Sequence, residues 1–120
     1  MIAEADLFFD GNHRRPDVCW LTNEQINNLA NPKAFDVPDF IIEVVSTNDA
    51  INKVAQKMND YRAAKVKVVW QIFPQLGEIH VYGGKNLDKM QIYKGKKMVS
   101  AAPALPNFKA KVADILKLEN

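Results

Sequence analysis

One short apolar run decides the fold of this chain: Phe40-Ile41-Ile42-Glu43-Val44-Val45-Ser46. Its length and its β-branched residues predict a strand. Because both faces of that strand are apolar, it should be covered on two sides, as in a sheet flanked by helices. On strand alternation Glu43 shares a face with Ile41 and Val45. A carboxylate is costly to desolvate at such a position unless a proton, a cation or a metal compensates it.

The segment after this strand predicts the best-defined helix of the chain. The residues Ser46-Thr47-Asn48-Asp49 offer N-cap side chains, and the helix should continue to about Ala64. Apolar residues recur there at helical spacing, at Ile51, Val54, Ala55, Met58 and Tyr61. Lys57 falls at the rim of this apolar stripe, from which its ammonium can reach back over the preceding strand.

Further strands are expected on both sides of this unit. The patterns predict strands at residues 2–9, 18–21, 66–73, 78–82 and 90–93, a short helical turn at 23–29, and a strand or helix at 108–118. The expected fold class is α/β, with a mixed central sheet and the helix of residues 48–64 on one face.

Composition narrows the class of protein. At 120 residues the chain is one domain long, and a net charge of +2 does not by itself argue for nucleic acid. A single cysteine, Cys19, excludes an internal disulfide and a multi-thiolate zinc site, which fits a reducing cytoplasm. The sequence contains no apolar stretch long enough for a membrane span, and acids stand where a signal peptide would carry basic residues. We therefore expect a cytoplasmic protein.

Three residues are candidates for chemistry: Asp17, Glu43 and Lys57. Each has a plainer reading, since Asp17 can belong to a Pro-Asp turn, Glu43 to a structural ion pair with Lys57, and Lys57 to a lysine that extends to solvent. Together they match metal-dependent phosphodiester cleavage. Two carboxylates on neighbouring strands can hold Mg²⁺ or Mn²⁺, while a lysine orients or deprotonates the attacking water and offsets charge on the phosphate.

A basic hairpin has two readings. Its lysines can contact a phosphate backbone, or they can guard a solvated strand edge. They are Lys85, Lys89, Lys94, Lys96 and Lys97.

Several segments together resemble a known family. They are Arg15-Pro16-Asp17-Val18, Ile42-Glu43-Val44-Val45-Ser46, Lys57 with Tyr61, Val66-Lys67-Val68-Val69-Trp70, and Ser100-Ala101-Ala102-Pro103-Ala104-Leu105-Pro106 before Phe108. This set is similar to the Uma2 family, also called DUF820, of restriction-endonuclease-like proteins within the PD-(D/E)XK nuclease superfamily. The resemblance extends from Asp6 to Leu116.

The resemblance implies a function and a site. Asp17 and Glu43 would be the metal-binding acids and Lys57 the catalytic lysine, moved to the helix from the superfamily's usual place two residues after the acid, which is Val45 here. The implied protein is a Mg²⁺-dependent (or Mn²⁺-dependent) DNA endonuclease, active or degenerate, that can work as a homodimer.

The resemblance also implies a single domain over residues 1–120 with a restriction-endonuclease-like core, shortened by the N-terminal elements of full-length members. The alternative is a non-catalytic domain that binds nucleic acid or protein and keeps the nuclease fold.

Overall fold

The structure is a computed structural model. It describes residues 38–117 in full, together with the backbone of four short segments, 2–3, 7–9, 12–14 and 18–20. The predicted helical turn at residues 23–29 lies outside the described residues. No helix within the described part of the chain is long and apolar enough to cross a membrane.

Strands dominate the described residues. The strands are β1 (Ile2–Ala3), β2 (Leu7–Phe9), β3 (Asn12–Arg14), β4 (Val18–Trp20), β5 (Phe40–Val44), β6 (Val68–Phe73), β7 (Glu78–Gly83), β8 (Lys89–Lys94), β9 (Met98–Ala101) and β10 (Leu105–Lys111). The helices among the described residues are α1 (Ile51–Ala63) and α2 (Val112–Lys117), and a 3₁₀ turn lies at Lys85–Leu87.

A mixed sheet forms the centre of the fold. Its described strands lie in the order β1-β4-β5-β6-β7-β8, and β2-β3 and β9-β10 form separate two-stranded ribbons. Strands β5 and β6 run parallel, and the other neighbours in the sheet are antiparallel. Because parallel neighbours need a crossover, α1 connects β5 to β6 as a βαβ unit. The predicted mixed sheet with a flanking helix is confirmed.

Both faces of β5 are covered, as its apolar sequence predicts. On one face Ile41 and Val69 pack with Met58 and Tyr61 of α1. On the other face Phe40 packs with a larger buried cluster to which β9 and α2 contribute, and Leu105 of β10 packs against it partly buried. This second cluster contains Phe40, Val68, Trp70, Ile72, Ile79, Val99, Ala101 and Val112.

The start of α1 differs from the sequence prediction. The N-cap is Ala50, without a side-chain cap, so the predicted capping by Ser46–Asp49 is wrong. Instead, the backbone N–H of Ser46 donates to Asp49 Oδ2 at 2.8 Å, and the N–H of Asp49 donates to the Ser46 carbonyl at 3.1 Å. Asp and Asn side chains accept hydrogen bonds from nearby backbone N–H groups in turns as well as at helix ends. Here the Asp49 side chain accepts one within the turn before the helix.

Two other boundaries also differ from prediction. The predicted strand at 2–9 is divided into β1 and β2, which pair with different strands. The predicted strand or helix at 108–118 contains both, since β10 ends at Lys111 and α2 begins at Val112. Alternation in a short apolar segment does not reveal which partner each residue pairs with, because pairing depends on distant chain segments.

We expect the buried cluster around Trp70 to carry much of the stability. Ile72→Ala should lower the free energy of unfolding by about 2–5 kcal/mol, because it opens a cavity in a closely packed site. Urea denaturation measures this loss. The matched control is Ile51→Ala, at a side chain that is 83% exposed, against 1% for Ile72; its effect should stay within about 0.5 kcal/mol. Equal losses in the two variants would contradict this account of the core.

Candidate active site

Glu43 is buried on the face of the sheet that α1 covers. It is the fourth residue of β5, and its side chain is only 8% exposed. The parallel register pairs it with Gln71 of β6, so the two side chains leave the sheet on the same face. The site therefore lies near the carboxyl ends of two parallel strands, which is where open α/β sheets commonly bind ligands.

Two side chains of α1 hold the Glu43 carboxylate. The hydroxyl of Tyr61 donates a hydrogen bond to Oε1, and the Lys57 ammonium lies 3.5 Å from Oε2. Residues four positions apart face the same side of a helix, so both reach one carboxylate. Tyr61 is fully buried, whereas the Lys57 side chain is 41% exposed. The predicted approach of Lys57 to Glu43 is confirmed.

The sequence placed Tyr61 in the apolar stripe of the helix and among the segments that resemble the family, without predicting its bond to Glu43. Its spacing of four residues from Lys57 could have indicated the contact, because it places both side chains on the same side of the helix. A buried tyrosine hydroxyl also needs a hydrogen-bond partner. A buried glutamate on the strand beneath the helix is such a partner.

A cavity of about 90 Å³ opens beside the carboxylate. Its polar lining is formed by Glu43, Asp49, Lys53, Lys57, Tyr61 and Gln71. Asp49, Lys53 and Lys57 belong to α1 or to the turn before it, Glu43 belongs to β5, and Val54 and Met58 are apolar lining residues. A cavity with carboxylate, ammonium and amide groups around it can hold water or a hydrated cation.

Asp17 lies outside the described residues. Its neighbour in the chain, Val18, pairs with Ile42, the residue before Glu43. The approach of the Asp17 and Glu43 carboxylates to a shared ion remains a prediction.

The described residues offer hard oxygen donors but only part of a metal site. They contain no group of three or more histidine, cysteine, aspartate or glutamate side chains arranged to hold a metal ion. The Glu43 carboxylate suits Mg²⁺ or Mn²⁺ in its chemistry, since these ions prefer oxygen ligands and keep several waters. Asp49 is a second described carboxylate at the cavity, with its Oδ2 accepting from the Ser46 N–H. The acid that the sequence predicts beside Glu43 is Asp17.

A second cluster of polar side chains lies on the same face of the sheet, beyond Gln71. Gln71 pairs with His80 of β7, whose Nε2 lies 2.9 Å from Glu78 Oε1, and Lys94 Nζ lies 3.0 Å from the other Glu78 oxygen. Hydrogen bonds from His80 and then from Lys94 lower the pKa of Glu78 below its ordinary value of 4.5. The Phe73 ring lies 4.3 Å from the His80 ring between centroids. This group is an internally compensated ion cluster, separate from the Glu43 cavity.

The basic hairpin of the sequence lies at the sheet edge. Strand β8 ends the described order of the sheet, and its terminal residues Lys89 and Lys94 are exposed. Exposed lysines on an edge strand prevent it from pairing with other chains. This position suits the edge-guard reading, and Lys94 is in addition paired with Glu78.

Comparisons with known proteins agree with the fold. The family model Uma2, described as "Putative restriction endonuclease", matches residues 2–113. The fold is similar to the crystal structure of a "putative nuclease belonging to DUF820" from Anabaena variabilis, with a TM-score of 0.74 at 17% sequence identity. The match covers 97% of this chain and 66% of that one, so this chain spans slightly less than two thirds of its relative's length. Comparison with curated proteins gave no match.

We expect the buried hydrogen bond from Tyr61 to contribute measurably to stability. Tyr61→Phe removes the donor and leaves Oε1 of a buried carboxylate less compensated, which should cost about 1.5–3 kcal/mol of unfolding free energy at neutral pH. The matched control is Tyr93→Phe, whose hydroxyl donates to Gln91 Oε1 at 2.6 Å in an exposed position. That variant should change stability by no more than about 0.5 kcal/mol. Chemical denaturation of both variants checks the difference, and a loss confined to Tyr93→Phe would contradict it.

Proposed function

Since the chain belongs to the Uma2 family of restriction-endonuclease-like proteins, we propose that it is a Mg²⁺-dependent (or Mn²⁺-dependent) DNA endonuclease that hydrolyses phosphodiester bonds. One observation carries this proposal. The buried Glu43 carboxylate and the Lys57 ammonium, 3.5 Å apart, line one cavity at the carboxyl ends of β5 and β6. A carboxylate that can bind a metal and a lysine that can offset charge on a phosphate are two of the groups that metal-dependent phosphodiester cleavage uses.

Asp17 and Glu43 are the proposed metal ligands. The antiparallel register of β4 and β5 supports the choice, because Val18 pairs with Ile42 and each is the direct chain neighbour of one of the two acids. When bound, the cation would polarise a phosphate oxygen and favour ionisation of a water molecule. Tyr61 would fix the orientation of the Glu43 carboxylate, so that a ligand oxygen is preorganised on rigid elements of the fold.

Lys57 is the proposed group that serves the attacking water and the transition state. Its ammonium would donate hydrogen bonds to the water and to the phosphate, where negative charge accumulates. In the hydrolysis the water oxygen forms a bond to phosphorus and the bond from phosphorus to one ester oxygen breaks. One proton leaves the water, and the departing ester oxygen gains one.

DNA is the proposed substrate. The exposed Lys53 also lines the cavity, one helical turn before Lys57, so two lysines of α1 border it. Positive charge at the mouth of a site attracts a phosphate backbone. A homodimer would allow both strands of a duplex to be cut, and a reducing cytoplasm would suit a chain with one cysteine.

The second candidate function is a non-catalytic domain that binds nucleic acid or protein. It is favoured by one observation: Tyr61 and Lys57 already provide Glu43 with a donor and a counter-charge, as a structural ion pair would require. Such a domain needs no metal. The two functions therefore differ in what Glu43→Gln does to stability and to the response to Mg²⁺.

We expect Glu43→Gln to abolish Mg²⁺-dependent cleavage of supercoiled plasmid DNA. Stability should change by no more than about 1 kcal/mol, because the amide oxygen still accepts from Tyr61 and the half-exposed Lys57 stays hydrated. Mg²⁺ should raise the Tm of the wild type, since a ligand of the native state stabilises it, and should not raise that of the variant.

The matched control is Glu78→Gln, which removes an acid on the same face of the sheet that is bound to His80 and Lys94 instead. It should keep both cleavage and the Mg²⁺-induced rise in Tm. A loss of about 3–5 kcal/mol in Glu43→Gln, together with a wild-type Tm that does not respond to Mg²⁺, would establish the structural ion pair and refute the nuclease.

A further inference from the structure

Gln71 is a buried polar residue that the proposed mechanism does not use. It is only 5% exposed, lies beside Glu43 on the neighbouring strand and lines the same cavity. Within residues 38–117, no protein group forms a hydrogen bond with its side-chain amide. A buried amide without a partner is destabilising, so its retention in a core strand calls for a partner other than the described protein groups.

The cavity determines what that partner can be. Its volume of about 90 Å³ is well below the roughly 300 Å³ at which pockets for small organic ligands begin. The interior of the cavity therefore suits water, and a DNA phosphate would bind at its opening. A buried water needs two to four polar partners, and the Gln71 amide, the Glu43 carboxylate and the Lys57 ammonium all line this space.

We propose that the side-chain amide of Gln71 binds and orients the water molecule that attacks the phosphodiester, an inference that rests on the proposed nuclease function. Paired residues on adjacent strands lie about 4.8 Å apart, so one water can contact both Glu43 and Gln71. The amide oxygen accepts one hydrogen of the water and thereby directs a lone pair toward phosphorus. The amide keeps its protons throughout. The water oxygen bonds to phosphorus as the bond from phosphorus to one ester oxygen breaks, the proton lost by the water passes to solvent, and the departing ester oxygen takes up a proton from solvent.

The test compares Gln71→Met with Gln91→Met. Methionine keeps the length and approximate volume of glutamine but cannot hold the water. Gln91 is an exposed residue on edge strand β8 and lies outside the cavity of Glu43. Gln71→Met should lower kcat for DNA cleavage about 10- to 100-fold, the effect of losing one hydrogen bond in the transition state. KM for DNA and the Mg²⁺-induced rise in Tm should be unchanged, and Tm itself should stay equal or rise. Gln91→Met should match the wild type in kcat.

A second measurement does not depend on activity. In ¹⁵N-labelled protein, the side-chain amide protons of Gln71, identified by their loss in Gln71→Met, should show a cross-relaxation signal to a bound water. Absence of that signal would overturn the inference.

The inference and the proposed function fail in different ways. Wild-type protein that cleaves DNA, with an equally fast Gln71→Met, would refute the role of Gln71 alone. Wild-type protein that neither cleaves DNA nor responds to Mg²⁺ would refute the nuclease function and the attacking role of this water together, even if the water signal is present.

Discussion

The burial of one carboxylate within an apolar strand is the constraint on which this structure depends. Glu43 is 6% exposed as a residue in a strand whose other members are core residues. A buried charge persists only if hydrogen bonds and an opposite charge compensate it. Tyr61 and Lys57 provide both from a single helix. The burial of Glu43 therefore requires α1 to pack on the sheet in the position where these two side chains reach the carboxylate.

The βαβ connection is what brings these groups together. Strands β5 and β6 are parallel, so the chain must cross over the sheet between them, and α1 makes that crossing. Residues 14 and 18 positions after Glu43 thereby come to lie over it. Gln71 reaches the same place along β6, through the register that pairs it with Glu43. The cavity is thus enclosed by elements that the hydrophobic core already holds in position.

Periodicity predicted the parts of this arrangement that depend on local pattern. The short apolar run of residues 40–45 and the helical spacing after Ile51 identified β5 and α1, and the rim position of Lys57 predicted its approach to Glu43. The hydrogen bond from Tyr61 and the buried amide of Gln71 were not predicted, because both depend on the register between elements distant in sequence. The prediction of the N-cap of α1 was wrong for a local reason. The Asp49 carboxylate accepts a hydrogen bond from the Ser46 N–H in the turn before the helix, and so does not cap the helix. The place of Asp17 stays a prediction from sequence.

The plainer interpretation of the site differs from the proposed one in a single physical respect. A structural ion pair is complete with Tyr61 and Lys57, whereas a catalytic carboxylate must also bind a cation. The cluster of Glu78, His80 and Lys94 in the same sheet is an example of a carboxylate whose two oxygens are both bound by protein groups. Glu43 differs from it by lining a cavity with an amide and two lysines around it.

The proposal that Asp17 and Glu43 share one cation is tested most directly by titrating Mn²⁺ into the protein in a calorimeter. The account predicts one bound ion per chain in the wild type and loss of that binding in both Asp17→Asn and Glu43→Gln, with Glu78→Gln binding normally. Wild-type protein that binds no Mn²⁺, or binding that persists in both variants, would contradict it.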